Sequence, residues 1–177
     1  MDKNYIKTRK LHSVITDWVY TFKPTHLLTV RLPIPAINAE QASAHKILYR
    51  TMKQFEKNTI KSHWNKKTLH FIGMAERGKT KSWHWHLLLI APNHHTNKLK
   101  AAANKTIKNM KLSEETIHIT PIKNNPQYVI GYCLKELDAD KNTRFDSDRL
   151  IFSWDLFDLK YKSHKPHKPK VLNKQNL

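Results

Sequence analysis

The residues best able to do chemistry in this chain are two histidines one residue apart, a carboxylate shortly before them and a pair of tyrosines further on. His84-Trp85-His86 lies in the apolar run WHWHLLLIA. Alternate residues of a β-strand project from one face, so the two imidazoles would stand about 6–7 Å apart, a spacing from which both reach one ion. With twelve histidines in the chain, an aromatic-rich edge strand could carry such a pair by chance, so a third ligand matters. Glu76 ends the preceding apolar segment, and a hairpin would fold its carboxylate back beside the pair. The competing reading is a solvated strand-end glutamate, and His70 is a weaker substitute. Two imidazoles and a carboxylate with open coordination positions suit Mn²⁺ or Mg²⁺ holding a phosphate, and the nitrogen ligands favour Mn²⁺. Zinc stays open as an alternative, although the lone Cys133 provides no structural zinc site.

The second constellation is Tyr128-Val-Ile-Gly-Tyr132-Cys-Leu-Lys135. On a helix, positions 128, 132 and 135 share one face, while Ile130, Cys133, Leu134 and Leu137 form the opposite, buried stripe. The tyrosines are therefore not what this helix most needs for packing, although amphipathic surface packing is their plain alternative. Gly131, a poor helix former, would let a neighbouring backbone approach. The two constellations have a joint chemical purpose. Phenol is a weak nucleophile at its usual pKa of ~10. A cation on the scissile phosphate would ease attack, and Lys135, one turn from Tyr132, would hold a phosphate oxygen or favour the phenolate. Attack would leave a 5′-phosphotyrosine and a free 3′-hydroxyl, conserving the bond for later rejoining.

These groups need a platform, and the chain is long enough for one core. Its 177 residues are 39% apolar, with five Trp, six Tyr and six Phe. Hydrophobic periodicity predicts a short helix at residues 14–22, a strand at 26–32, a helix at 39–57 and strands at 68–76 and 83–91. A basic helix comes next at 97–111, then a strand at 115–122, a helix at 125–137 opened by Asn125 and Pro126, and a strand at 150–157. The resulting β-α-β-β-α-β-α order predicts an α+β, ferredoxin-like split βαβ fold, a central antiparallel sheet flanked by helices. Residues 1–24 read as an N-terminal extension, 25–140 as the catalytic domain, 141–159 as a C-terminal extension and 160–177 as a basic, disordered tail. Thirty-two Lys and Arg against fourteen Asp and Glu leave a net charge of +18, which calls for a polyanionic partner. No apolar run approaches the ~20 residues of a membrane span, and the N-terminus lacks the apolar core of a signal peptide.

HWHLLL followed by YCLK resembles motifs II and III of the HUH endonuclease superfamily. HLLTVRL, residues 26–32, resembles the strand motif that precedes them in Rep-type rolling-circle replication initiators. Glu76, eight residues before His84, is similar to the acidic third ligand of the circular single-stranded DNA virus initiators, and the Tyr128…Tyr132…Lys135 spacing to two-tyrosine phage initiators. The resemblance covers roughly residues 25–138. It implies a metal site of Glu76, His84 and His86, Tyr132 as primary nucleophile with Tyr128 as a second, and nicking-joining of single-stranded or hairpin origin DNA. It further implies a plasmid or phage in a prokaryotic host, with a cytoplasmic location. Viral initiators carry an appended helicase domain for which these residues leave no room, so a host helicase is the expected partner.

Arg31, Lys79 and Lys81 are the expected DNA contacts, and Trp64, Trp83, Trp85 and Trp154 are candidates for base stacking beside their usual core role. Gly73-Met-Ala-Glu-Arg-Gly78-Lys79-Thr80 matches the Walker A phosphate loop. Such a loop needs a helix N-terminus directly after its lysine; here the next run is strand-like, so the segment reads as a hairpin turn. Two other functions fit the same residues: a single-tyrosine HUH transposase, and a non-catalytic nucleic-acid-binding protein in which His84, His86 and Tyr132 only pack or stack.

Overall fold

A computed structural model describes residues 3–31, 41–60, 69–77, 82–135 and 149–153. The elements run α1 (Lys3–Thr21), β1 (His26–Arg31), α2 (Gln41–Ile60), β2 (His70–Arg77), β3 (Trp83–Ile90), α3 (Thr96–Met110), β4 (Ile117–Pro121), α4 (Pro126–Cys133) and β5 (Leu150–Phe152). The strands form one sheet in the order β4-β1-β3-β2-β5, each pair antiparallel. The first four strands have the split βαβ order expected from the sequence: the β2–β3 hairpin inserts β3 between β1 and β2. β3 is thus central, and its residues are mostly buried on both faces, whereas a chance histidine pair would sit most cheaply on an edge.

Strand alternation divides the sheet into two faces. One carries Leu28, Val30, Phe71, Trp85, Leu87, Leu89 and Ile119, packed beneath α2 and α3. Helical spacing supplies the covering stripes, Ala44, Leu48, Met52 and Phe55 from α2 and Leu99, Ala102, Ala103, Thr106 and Ile107 from α3. Each fully buried Leu or Phe there contributes roughly 1.5–3 kcal/mol of burial free energy. Polar ties complete this layer. The Glu56 carboxylate, fully buried, accepts from the Leu69 backbone N–H at 2.7 Å and pairs with Lys53 at 3.1 Å. The Asn58 amide donates to Thr106 Oγ1 at 2.9 Å, linking α2 to α3.

The opposite face is covered only in part. Ile72, Met74 and Leu88 of the sheet pack with Val19 of α1 and with Ile130, Cys133 and Leu134 at α4. α1 is nineteen residues long, well beyond the short helix expected at 14–22. Ile15, Val19 and Phe22, four and three residues apart, supply its inward face, and Trp18 meets Phe22 and Phe152 edge-on at 4.9 and 5.9 Å.

Other expectations are adjusted locally. Residues 114–116 form a 3-10 turn before β4, because the Thr116 N–H bonds to the Ser113 carbonyl and the two hydroxyls meet at 3.0 Å. α4 is an eight-residue helix closed at Leu134, and β5 is described only to Phe152. A Cβ at Gly131 would meet only His12 Cε1, at an ordinary 3.8 Å, so no close backbone approach requires that glycine. Trp83 and Trp85 are core residues, Trp85 wholly inaccessible, and neither can stack on a base. Trp64, Trp154 and the 160–177 tail lie outside the described residues.

Candidate metal and tyrosine site

The register of the hairpin builds the site. Glu76 pairs directly with His84, and Met74 with His86, so Glu76, His84 and His86 project from the same face, the one that α1 and α4 leave partly open. Their ligand atoms lie within 4.8 Å of one another, and among the described residues they form a group able to hold a metal ion. Glu76 Oε2 stands 3.3 Å from His84 Nε2 and 3.2 Å from His86 Nε2. That oxygen is buried, an unfavourable place for an anionic atom unless cations surround it. Two neutral imidazole nitrogens and one carboxylate oxygen converging there fit a divalent cation with open positions. His70, the substitute ligand, pairs with Ile90 at the far end of β2, six residues or about 20 Å of strand from Glu76, and takes no part.

α4 brings the second constellation to the triad. Asn125 adopts a left-handed conformation (φ 45°), its side chain caps the helix by accepting from the Tyr128 N–H at 3.1 Å, and Pro126 occupies the first turn. Ile130, Cys133 and Leu134 then bury against the sheet, which turns Tyr128 and Tyr132 outward, 71% and 44% exposed. The Tyr132 ring meets His86 edge-on, centroids 5.6 Å apart. Lys135 Nζ lies 3.0 Å from Glu76 Oε2 and 4.4 Å from the centre of the Tyr132 ring. Tyr132, Lys135 and the triad thus form one cluster, with Tyr128 one turn away along the same helix face.

The electrostatics reflect this crowding. Burial pushes the Glu76 carboxyl up, but the ammonium of Lys135 and the charges of His84 and His86 outweigh it, so its pKa falls below the usual value. Burial and the neighbouring His84 lower His86, which favours the neutral imidazole that a metal requires. Lys135 is depressed by burial but raised further by Glu76 and Tyr132, so it holds its proton more tightly than a free lysine. Burial pushes the Cys133 thiol up to about 12, leaving it a packing residue rather than a nucleophile.

Arg31 is exposed on β1 and pairs across the sheet with His84, at the open side of the cluster. Lys79 and Lys81 lie outside the described residues. The phosphate-loop resemblance fails where it can be read: Gly73 sits mid-strand opposite Leu87, Lys79 lies between two strands, and the chain from Trp83 onward is β3, not a helix. Gly73 has another reason to be glycine, since a Cβ there would collide with the His86 carbonyl and the Leu87 side chain. The sequence reading missed Thr29, whose hydroxyl meets His86 Nδ1 at 3.2 Å. The only signal for it was its place in the alternation of HLLTVRL, and that gives no partner until the β1–β3 register is known.

A family model described as a replication-associated protein of the ORF2 type matches residues 26–137, spanning β1 through α4. No curated protein and no solved structure matches the chain.

Proposed function

The chain belongs to this ORF2-type replication-associated protein family, and on that premise we propose that it is an HUH-type initiator that nicks and rejoins one strand of single-stranded or hairpin origin DNA to start rolling-circle replication. The observation that carries this reading is the packing of Tyr132 against His86, one corner of the Glu76–His84–His86 donor set.

Bound by those three residues, Mn²⁺ or Mg²⁺ would supply positive charge to the scissile phosphate. Tyr132 is the nucleophile. Its Oη forms a bond to phosphorus and loses its proton to solvent, while the bond from phosphorus to the 3′ oxygen breaks and that oxygen takes up a proton as the free 3′-hydroxyl. One phosphoester is made for the one broken, so the 5′-phosphotyrosine can later be returned to a 3′-hydroxyl without ATP. Lys135 steadies the developing phenolate, and its tightened proton keeps it cationic throughout the neutral range. Tyr128, exposed one turn earlier, serves as the second nucleophile, able to receive a strand while Tyr132 is occupied. Arg31, with Lys79 and Lys81 of the hairpin turn, binds phosphates flanking the cut, and a host helicase opens the duplex. Residues 25–140 are the nicking domain, and the basic 160–177 segment adds affinity for DNA.

The test is incubation with Mn²⁺ and single-stranded oligonucleotides that include the cognate origin. A denaturation-resistant protein–DNA adduct that chelation abolishes is the expected result. Binding without any adduct would make the protein a non-catalytic DNA-binding module.

A further inference from the structure

His86 presents two nitrogens to two different partners. Its Nε2 points at Glu76 Oε2, 3.2 Å away, while its Nδ1 meets the Thr29 hydroxyl at 3.2 Å. The second contact is built into the sheet. Thr29 and His86 are directly paired between β1 and β3, so their side chains emerge side by side on the same face, and His86 is itself buried. His84 pairs instead with Arg31, whose side chain has no hydroxyl to offer.

We propose that Thr29 is a positioning residue for the metal centre, accepting the Nδ1–H of His86 so that the Nε2 lone pair is fixed toward the shared ion. A neutral imidazole can ligate through Nε2 only when its remaining proton sits on Nδ1, and a second partner at that nitrogen fixes both the tautomer and the ring's rotation. The isolated imidazole has no such constraint. The arrangement makes the two histidines unequal: His86 is the anchored ligand, locked between Thr29, Glu76 and the Tyr132 ring, and His84 is the adjustable one. It also ties the ligand to β1, so the metal centre depends on three strands rather than on the β2–β3 hairpin alone. A valine at position 29 would keep the β-branched shape and the strand while removing the acceptor.

This inference rests on the metal reading of Glu76, His84 and His86. Its test is Mn²⁺ affinity, measured by titration calorimetry or by the electron paramagnetic resonance of free Mn²⁺, in wild type, Thr29→Val and Thr29→Ser. Circular dichroism and thermal melts of the metal-free proteins accompany the titrations. The expected result is a loss of about 10-fold or more in affinity for Thr29→Val, near wild-type affinity for Thr29→Ser, and closely similar melts for all three. Wild-type affinity in Thr29→Val would overturn the role of Thr29 while leaving the metal centre intact. Equal weakening in Thr29→Ser and Thr29→Val would overturn it too, because a retained hydroxyl would then make no difference. Absence of Mn²⁺ binding in the wild type would overturn the metal reading itself, and this inference with it.

Discussion

At the residue scale, the cluster concentrates opposite charge on one buried oxygen. Glu76 Oε2 faces two imidazoles and an ammonium within 3.3 Å, and the carboxylate is therefore both the anionic ligand and the anchor of Lys135. Glu76→Gln keeps the shape and removes the charge. It should weaken Mn²⁺ binding by more than about 100-fold, beyond the usual cost of altering a group outside the ligand set, as a calorimetric titration would read. A second histidine gives a pH signature remote from this cluster. His26 is buried, with Nδ1 at 2.9 Å from Thr25 Oγ1 and Nε2 at 3.0 Å from Thr96 Oγ1, joining β1 to the start of α3. Burial, then the nearby His94, lowers its pKa below 6.5, so the folded state prefers it neutral. Its contribution is complete above the unfolded pKa of about 6.5 and declines as pH falls from there to the lowered folded pKa, below which it changes no further. Denaturant unfolding at pH 8 and at pH 5 should show a loss of stability in acid that is smaller in His26→Gln. An unchanged acid loss in that variant would assign it to other groups.

At the element scale, the β2–β3 pair is fitted too closely to admit a side chain at Gly73. A Cβ there would meet the His86 carbonyl and the Leu87 side chain, with the Leu87 Cα at 2.8 Å. Gly73→Ala should therefore cost on the order of 1–3 kcal/mol, typical of overpacking, and should also weaken metal binding, because the strand it displaces carries His86. Denaturant unfolding and Mn²⁺ titration on the same variant read the two effects. Strong periodicity made these elements legible. WHWHLLLI could be read as a strand with its histidines on one face, and the stripe of α3 from Leu99 to Ile107 as a helix. The full length of α1 was not legible, because Ile15, Val19 and Phe22 are diluted by Leu11, Val14 and Trp18, apolar residues that point outward. Thr29 was hidden for a different reason. Register between β1 and β3 is fixed by long-range packing, and alternation within one strand says which face a residue takes but not whom it meets.

At the scale of the whole molecule, one face of the sheet is sealed by α2 and α3 and serves stability, while the other is left partly open by α1 and α4 and carries the candidate chemistry. The split βαβ order was readable from the sequence of elements. The convergence of α4 on β3 was readable only as two motifs that share a chemical purpose. No helix among the described residues is long and apolar enough to cross a membrane, and with a charge of +18 affinity for DNA should come mainly from phosphate contacts. Binding to single strands should weaken steeply with salt, and Arg31→Ala should reduce the slope of log K against log salt by about 0.7, one phosphate's share. An unchanged slope would remove Arg31 from the DNA path. The central claim, that Tyr132 is the nucleophile of this metal-dependent site, is tested most directly by mapping the covalent adduct formed with Mn²⁺ and origin single strands. The account predicts phosphotyrosine at Tyr132, and a Tyr132→Phe variant that binds the same DNA with nearly unchanged affinity yet forms little adduct. Full adduct formation by Tyr132→Phe, with the label on Tyr128, would contradict it.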